Sequence, residues 1–224
     1  MSTLFIVATP IGNLQDITLR ALETLKAVDV IACEDTRRTE RLLAHFGFRK
    51  PLFRYDEHTH ERASRQLITM IQGGRKVALV TDAGTPAISD PGSRLVQVVL
   101  AAKIPVIPIP GASAVTTALS ASGWGGDGFL FLGFLPRKKG PASRVLQESL
   151  GLGKTVVLFE SPFRTAATLA LLAESEHTLD VIVARELTKI HEEFLRGTVA
   201  EVLEQLKQRP EKGEVVILCR RLPA

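Results

Sequence analysis

The sequence predicts an α/β fold of two α/β domains, with a mainly parallel sheet in the N-terminal domain and a mixed sheet in the C-terminal one. Three observations carry this expectation. Apolar runs alternate with segments of helical period from one end of the chain to the other. In the first half those runs are too apolar to leave one strand face in water, the mark of parallel strands covered on both sides. A glycine cluster at 123–128 then separates this half from a second, where period-2 runs follow one another at hairpin-like spacing.

Taken in order, Thr3–Ala8, Asp29–Cys33, Lys76–Thr81 and Pro105–Ile109 read as buried strands. Thr18–Ala27, Thr36–Phe46, His60–Gln72 and Pro91–Ala102 read as the amphipathic helices that connect them as βαβ crossovers. Thr18, Thr36, Asp90-Pro91 and Ser161-Pro162 carry the residue types that open helices. A helix-like segment, Gly111–Ser122, closes the first domain, expected to span 1–122 and to be followed by a linker at 123–128. The second domain, 129–224, reads as strand Phe129–Phe134, a helix near Ala142–Leu150, strand Thr155–Phe159 and helix Pro162–Ala173. Strand Leu179–Ala184, helix Val199–Gln208 and strand Glu214–Cys219 complete it.

The 224 residues are 45% hydrophobic, enough to bury a core without a disulfide or metal staple. Cys33 and Cys219 sit in apolar runs and match no zinc spacing, which reads as two small core residues. The histidines are scattered, and no metal is expected. No basic n-region precedes the first apolar run, and Lys103, Pro105, Pro108 and Pro110 interrupt the longest oily stretch. The expectation is a cytoplasmic protein without a membrane span. The formal net charge is only +4, but Asp35–Lys76 carries ten basic and five acidic residues, and Arg137–Arg144 four basic and none acidic. Charge segregated in this way suits a polyanion such as nucleic acid, or else a solvated helix face.

Two familiar patterns fail on context. Gly123-x-Gly125-x-x-Gly128 has the letters of a dinucleotide fingerprint, yet it precedes a strand instead of joining a strand to a helix. Gly153-Lys154-Thr155 resembles the end of a phosphate loop, but Glu148 occupies the position of the first glycine. What survives are loops at the carboxyl ends of the expected strands, where parallel α/β sheets bind ligands. These are Thr9–Leu14, Asp82–Gly92 and Pro110–Ala114, rich in Gly, Pro and small hydroxyl residues that let a ligand approach the backbone. A fourth, Ala32–Thr39, sets Glu34 and Asp35 beside Arg37 and Arg38. It reads either as a helix cap with solvated arginines or as the rim of an active site. In the second domain, Phe159–Arg164 and Ala184–Glu193 read either as a cap with internal ion pairs or as part of a site.

TPIGNLQDITLRAL, CEDTRRT, TDAGTPAISDPG, PGASA, FLGFLP, FESPFR and ARELTKIHEE, in this order from about Leu4 to Cys219, resemble the motif series of the ribosomal RNA small-subunit methyltransferase I family. That family belongs to the tetrapyrrole-methylase-like class of S-adenosylmethionine enzymes. The resemblance implies two α/β domains with the cofactor in the cleft between them, usually a homodimer, and methylation of a cytidine ribose 2′-oxygen in the decoding region of 16S rRNA in the small ribosomal subunit. Matched motif by motif, it implies that Pro10, Gly84, Thr85, Ile88, Ser113, Ala114, Glu160 and Ala184 line the cofactor. Relatives that methylate tetrapyrrole carbons show Gly-Asp-Pro where this chain has Gly84-Thr85-Pro86, which favours the RNA branch over a porphyrinogen methyltransferase. Many members carry a helical C-terminal extension beyond the point where this sequence ends.

Ribose methylation needs a base for a weakly acidic hydroxyl and a cation for the developing alkoxide. Asp35 or Glu34 is the candidate base, and Lys189 or Arg37 the candidate stabiliser. Arg37, Arg38, Arg137, Lys138 and Lys139 are the candidate phosphate contacts.

Overall fold

The computed structural model describes residues 2–126, 128–175 and 178–222. The chain divides into two compact units, Met1–Ser113 and Ala114–Ala224.

In the first unit the order is β1 (Thr3–Val7), a 3-10 turn (Leu14–Asp16), α1 (Leu19–Ala27), β2 (Val30–Cys33), α2 (Thr36–His45), β3 (Leu52–Arg54), α3 (His60–Gln72), β4 (Lys76–Leu79), α4 (Gly92–Ala101) and β5 (Val106–Ile109). The strands form one sheet in the order β3-β2-β4-β1-β5, and every pairing is parallel. Successive residues of a strand point to opposite faces, and both faces are covered. Leu4, Ile6, Val77 and Leu79 pack with Leu67 and Ile71 of α3 and Leu95 and Val99 of α4. Val7, Ala78, Ile31 and Cys33 pack with Ala21 and Leu25 of α1 and Leu43 of α2. Burial on both faces is why these strands read as unbroken apolar runs.

The order also creates a switch point. From β1 the chain crosses toward β2, and from β4 it crosses the opposite way toward β5, yet β4 and β1 are neighbours. Connections that leave two adjacent parallel strands in opposite directions open a crevice at their carboxyl ends, where open α/β sheets bind ligands.

The second unit runs α5 (Ala114–Ser120), β6 (Phe129–Phe134), α6 (Lys139–Gly151), β7 (Thr155–Glu160), α7 (Thr165–Ala173), β8 (Leu179–Arg185), β9 (Glu193–Thr198), α8 (Val199–Leu206) and β10 (Val215–Arg221). Its sheet order is β6-β7-β10-β8-β9, with β6 parallel to β7 and the remaining pairs antiparallel. This is the mixed sheet the sequence predicts. Val156, Leu158, Val181, Val183, Val215 and Ile217 face Leu146, Leu169 and Val202 of the covering helices. Because β10 is antiparallel to both β7 and β8, strands β6, β7 and β8 point the same way and their following loops open on one edge.

The structure departs from the sequence expectation in four places. Strand β3, three residues after Pro51, and strand β9 were not anticipated. Only Leu195 of β9 is buried, so this edge strand lacks the alternation that marks a half-buried one. The α5 segment, assigned by its position to the first domain, groups with the second unit, where it lies against β10. Asp127 of the expected linker lies outside the described residues. Of the two candidates for the cap of helix α2, Asp35 and Thr36, it is Asp35 that caps it, and Thr18 caps α1 as expected, accepting from the Ala21 N–H at 3.0 Å. Helix α7 begins at Thr165, because Ser161 to Arg164 form a separate turn closed by the Arg164 N–H on the Ser161 carbonyl, 2.9 Å.

Candidate active site

In the first unit the loops after β1, β4 and β5 are tied into one surface at the switch point. Thr9 and Gly84 exchange both backbone hydrogen bonds, 2.9 and 3.0 Å. The Thr9 hydroxyl donates to the Thr81 carbonyl at 3.0 Å, and the Thr85 hydroxyl donates to the Ala112 carbonyl at 3.1 Å. Gly84 has φ +86°, and a Cβ there would lie 3.2 Å from Ile11 Cγ2. Ala87 and Ser89 in the same loop also have positive φ, 71° and 55°. Non-glycine residues adopt this region rarely and at a cost, so such strain gathers where a loop shape is held for a purpose. Asp90 provides the hold, with its carboxylate accepting from the Thr81 hydroxyl at 2.5 Å and the Gly92 N–H at 2.8 Å. Gly84→Ala is expected to lower stability by about 1–2 kcal/mol, the cost of a Cβ in the left-handed region, read by chemical unfolding; unchanged stability would show that the loop relaxes freely.

The loop after β2 joins this surface through Asp82. Its Oδ1 accepts from the Asp35 N–H at 3.3 Å, and its Oδ2 pairs with Arg38 Nη1 at 3.3 Å. Asp35 is turned inward on its own helix. Its carboxylate accepts from the Arg37 main chain at 2.9 Å and from the Arg37 guanidinium at 3.2 and 3.1 Å. The guanidinium and main-chain bonds from Arg37 hold the Asp35 carboxyl down at about 2. A carboxyl that titrates below its ordinary value stabilises fully above that value, and its contribution fades as the pH falls toward 2. Glu34 behaves in the opposite way. Partial desolvation, and then the negative charges of Asp82, Asp90 and Asp56, push its carboxyl above the usual range against the pull of Arg38. Beside them lies a cavity of about 220 Å³, lined by Thr9, Pro10, Leu14, Arg38, Arg41 and Leu42 together with Thr39, Thr81 and Asp82.

Of the residues named from sequence in this unit, Pro10, Gly84, Thr85, Ile88 and Ser113 fall on these knitted loops, and Ile88 is exposed. Glu34, Asp35, Arg37 and Arg38 lie at the carboxyl end of β2 and the start of α2. Sequence reasoning did not single out Asp82 or Arg41, and named Asp90 only as a helix opener. Arg41 carried a usable signal, since it stands three residues after Arg38 on the same helix face. The Asp82 link to Asp35 joins residues far apart in sequence and left no local trace.

The second unit holds the others, with Ala114 opening α5. Glu160, at the end of β7, is buried, and its carboxylate accepts from the Ser161 N–H at 2.8 Å and the Thr168 hydroxyl at 2.6 Å, with Arg164 Nε 3.5 Å away. Ala184 is fully buried in β8. Lys189 Nζ donates to Glu186 at 2.9 Å and Glu214 at 3.1 Å. Burial pulls its ammonium pKa down, but the two carboxylates outweigh it and hold it above the ordinary value. Glu186 and Thr188 in this loop have φ of 50° and 65°, a second concentration of strain. Arg137 and Lys138 are exposed, whereas Lys139 pairs with Glu174 at 2.7 Å.

Cys33 and Cys219 are buried free thiols. Burial raises both, and pushes Cys219 up to about 12, which leaves neither a nucleophilic thiolate. Among the described residues no group of His, Cys, Asp and Glu is arranged to hold a metal ion, and no helix is long and apolar enough to cross a membrane.

Residues 3–203 match the family of tetrapyrrole (corrin/porphyrin) methylases. A Thermotoga maritima protein named ribosomal RNA small subunit methyltransferase I is 43% identical over 97% of this chain and 98% of its own length. A protein of the same name from Halalkalibacterium halodurans is 48% identical over 96% of this chain and 75% of its own. Among solved structures, uroporphyrin-III C-methyltransferase from Thermus thermophilus, complexed with S-adenosylhomocysteine, superposes with a TM-score of 0.68 at 20% identity, covering 96% of each chain. At that identity the likeness speaks for the fold. The sequence matches carry the assignment further: the chain is a methyltransferase of the tetrapyrrole methylase family and belongs to its ribosomal RNA small subunit methyltransferase I branch.

Proposed function

We propose that the protein transfers a methyl group from S-adenosylmethionine to the ribose 2′-oxygen of a cytidine in the decoding region of small-subunit ribosomal RNA. The observation that carries this reading is the acidic and basic cluster at the end of β2, with its raised Glu34, tied through Asp82 to the loops of the switch point. The names of the relatives supply the RNA, and the family resemblance supplies the cytidine and its 2′-oxygen.

The knitted loops suit the cofactor chemically. Gly84 leaves main chain exposed where a side chain would crowd Ile11, and Pro10, Thr85, Ile88 and Ser113 on the same set of loops are small or apolar residues that suit an adenosyl moiety. When bound, S-adenosylmethionine supplies an electrophilic methyl on a sulfonium, and displacement in line needs the acceptor oxygen held behind that methyl. Glu34 takes the proton from the 2′-hydroxyl, because a carboxyl raised toward the working pH is a better base than one held near 2. Asp35 keeps the end of α2 and Arg37 in position. The acid limb of the rate–pH profile then lies above the ordinary glutamate range, and activity rises as Glu34 ionises.

Arg38 and Arg41 at the cavity, and Arg137 and Lys138 before α6, contact phosphates without reading bases. Since Lys139 is already paired with Glu174, neutralising Arg137, Lys138 and Lys139 together is expected to reduce the salt slope of RNA binding by about two contacts' worth. A slope equal to wild type would remove that segment from the interface. The family resemblance favours a homodimer, and a ribosomal substrate favours the cytoplasm. The reading as a whole is tested by methyl transfer from radiolabelled S-adenosylmethionine to 30S subunits lacking the mark. Label in the RNA supports it, whereas transfer to a porphyrinogen and not to RNA overturns it.

A further inference from the structure

Strands β6 and β7 are parallel neighbours, so the segments that follow them share one edge of the second unit. Two large aromatic side chains stand in solvent there, with Phe134 58% and Phe163 73% exposed. Exposed phenylalanines on a mobile loop would carry little meaning, but these two are braced. Glu160, buried at the end of β7, fixes the Ser161 N–H and the Thr168 hydroxyl and pairs with Arg164. The Thr165 hydroxyl and the Arg164 N–H both close on the Ser161 carbonyl, at 3.0 and 2.9 Å, so the turn carrying Phe163 is held at both ends. Arg164 Nη2 then reaches the carbonyls of Leu135 and Pro136 at 3.3 and 3.2 Å, binding the segment after Phe134 to the same turn. Phe134 itself leans on Phe159, with ring centroids 5.7 Å apart. Immediately beyond stand Arg137 and Lys138, both exposed and without an ion-pair partner among the described residues.

We infer that Phe134 and Phe163 form a stacking platform for unpaired bases of an RNA strand whose phosphates are gripped by Arg137 and Lys138, with Arg164 as the positioning residue that joins the two loops. The charge beside the rings selects the occupant. An apolar partner surface would have to bury two unpaired cations, whereas a single-stranded nucleic acid brings a π-face to each ring and an anion to each cation. This inference rests on the proposed RNA substrate and adds that the substrate is unpaired where it meets this edge.

The test is fluorescence anisotropy with a labelled single-stranded RNA of roughly twelve nucleotides, a length within the span such sites cover, and with the same strand in a duplex, over a range of salt. Phe163→Ala and Phe134→Ala are each expected to weaken single-strand binding about ten- to a hundred-fold, the effect of losing one stacked base, with the salt slope unchanged. Phe163→Trp should restore it. Arg137→Ala with Lys138→Ala should weaken binding and reduce the slope. Phe163 is largely exposed, so its alanine variant is expected to fold, and its unfolding midpoint checks this. Equal binding by wild type and Phe163→Ala would overturn the platform while leaving the RNA substrate standing. So would equal affinity for strand and duplex, or a change in oligomeric state in place of RNA affinity. Absence of RNA binding by the wild type would instead remove the proposed substrate itself.

Discussion

Replacing Glu34 with glutamine is expected to lower the rate of methyl transfer by about 10²- to 10⁴-fold, the range typical of a lost general base, with cofactor affinity unchanged. Glutamine keeps the size of the side chain and removes only its ability to accept the proton. Asp35→Asn should cost less in rate. Asp35 is held near 2 by Arg37, and asparagine can still cap α2, since its side-chain oxygen accepts the same N–H. The contrast between the two variants is the informative quantity. If Asp35→Asn proves the more damaging at saturating RNA, the base is Asp35 and the Arg37 contact must open when substrate binds. If neither variant slows the reaction, the cluster at the end of β2 only positions the acceptor.

The second large effect is structural. Arg185→Leu is expected to destabilise the protein by about 2–3 kcal/mol, the cost of removing a buried donor that satisfies a carboxylate and two carbonyls. Arg185 is 5% exposed at the end of β8. Its guanidinium pairs with Glu193 and donates to the carbonyls of Pro210 and Lys212 at 2.7 and 3.2 Å. Removing it strips two carbonyls of their donor and leaves Glu193 with Arg209 alone. Replacing Glu193 as well, as Arg185→Leu with Glu193→Leu, should destabilise by less than the two single variants summed, because each single variant already loses the Arg185–Glu193 contact and the double variant loses it only once. Urea unfolding of the four proteins reads the coupling, and strict additivity would show that the pair contributes nothing beyond packing.

What the sequence disclosed, and what it withheld, follows from how far each interaction reaches along the chain. The covered parallel sheet was legible because burying both faces of β1, β2 and β4 demands unbroken runs of Leu, Ile, Val and Ala. The loops at the switch point were legible as candidates because a crevice at strand ends needs Gly, Pro and small polar residues at each strand's carboxyl end. Strand β9 was not, since an edge strand that buries only Leu195 leaves little apolar signal. The grouping of α5 was hidden because its apolar face records that it packs, but not on which sheet. Glu34 and Asp35 were indistinguishable as adjacent carboxylates. They separate only when the Arg37 guanidinium folds back on one and the charges of Asp82, Asp90 and Asp56, from other strands, gather around the other.

The most direct test concerns the atom that receives the methyl group. RNA from 30S subunits labelled by the protein with radioactive S-adenosylmethionine should be digested with alkali, which cleaves after a free 2′-hydroxyl and cannot cleave after a methylated one. The proposed reaction predicts that the label is recovered in an alkali-resistant dinucleotide whose 5′ residue is cytidine, and that Glu34→Gln slows its appearance by the same factor of about 10² to 10⁴. Label recovered in a mononucleotide would mean methylation of a base, and the assignment of Glu34 as the base for a ribose hydroxyl would fall with it.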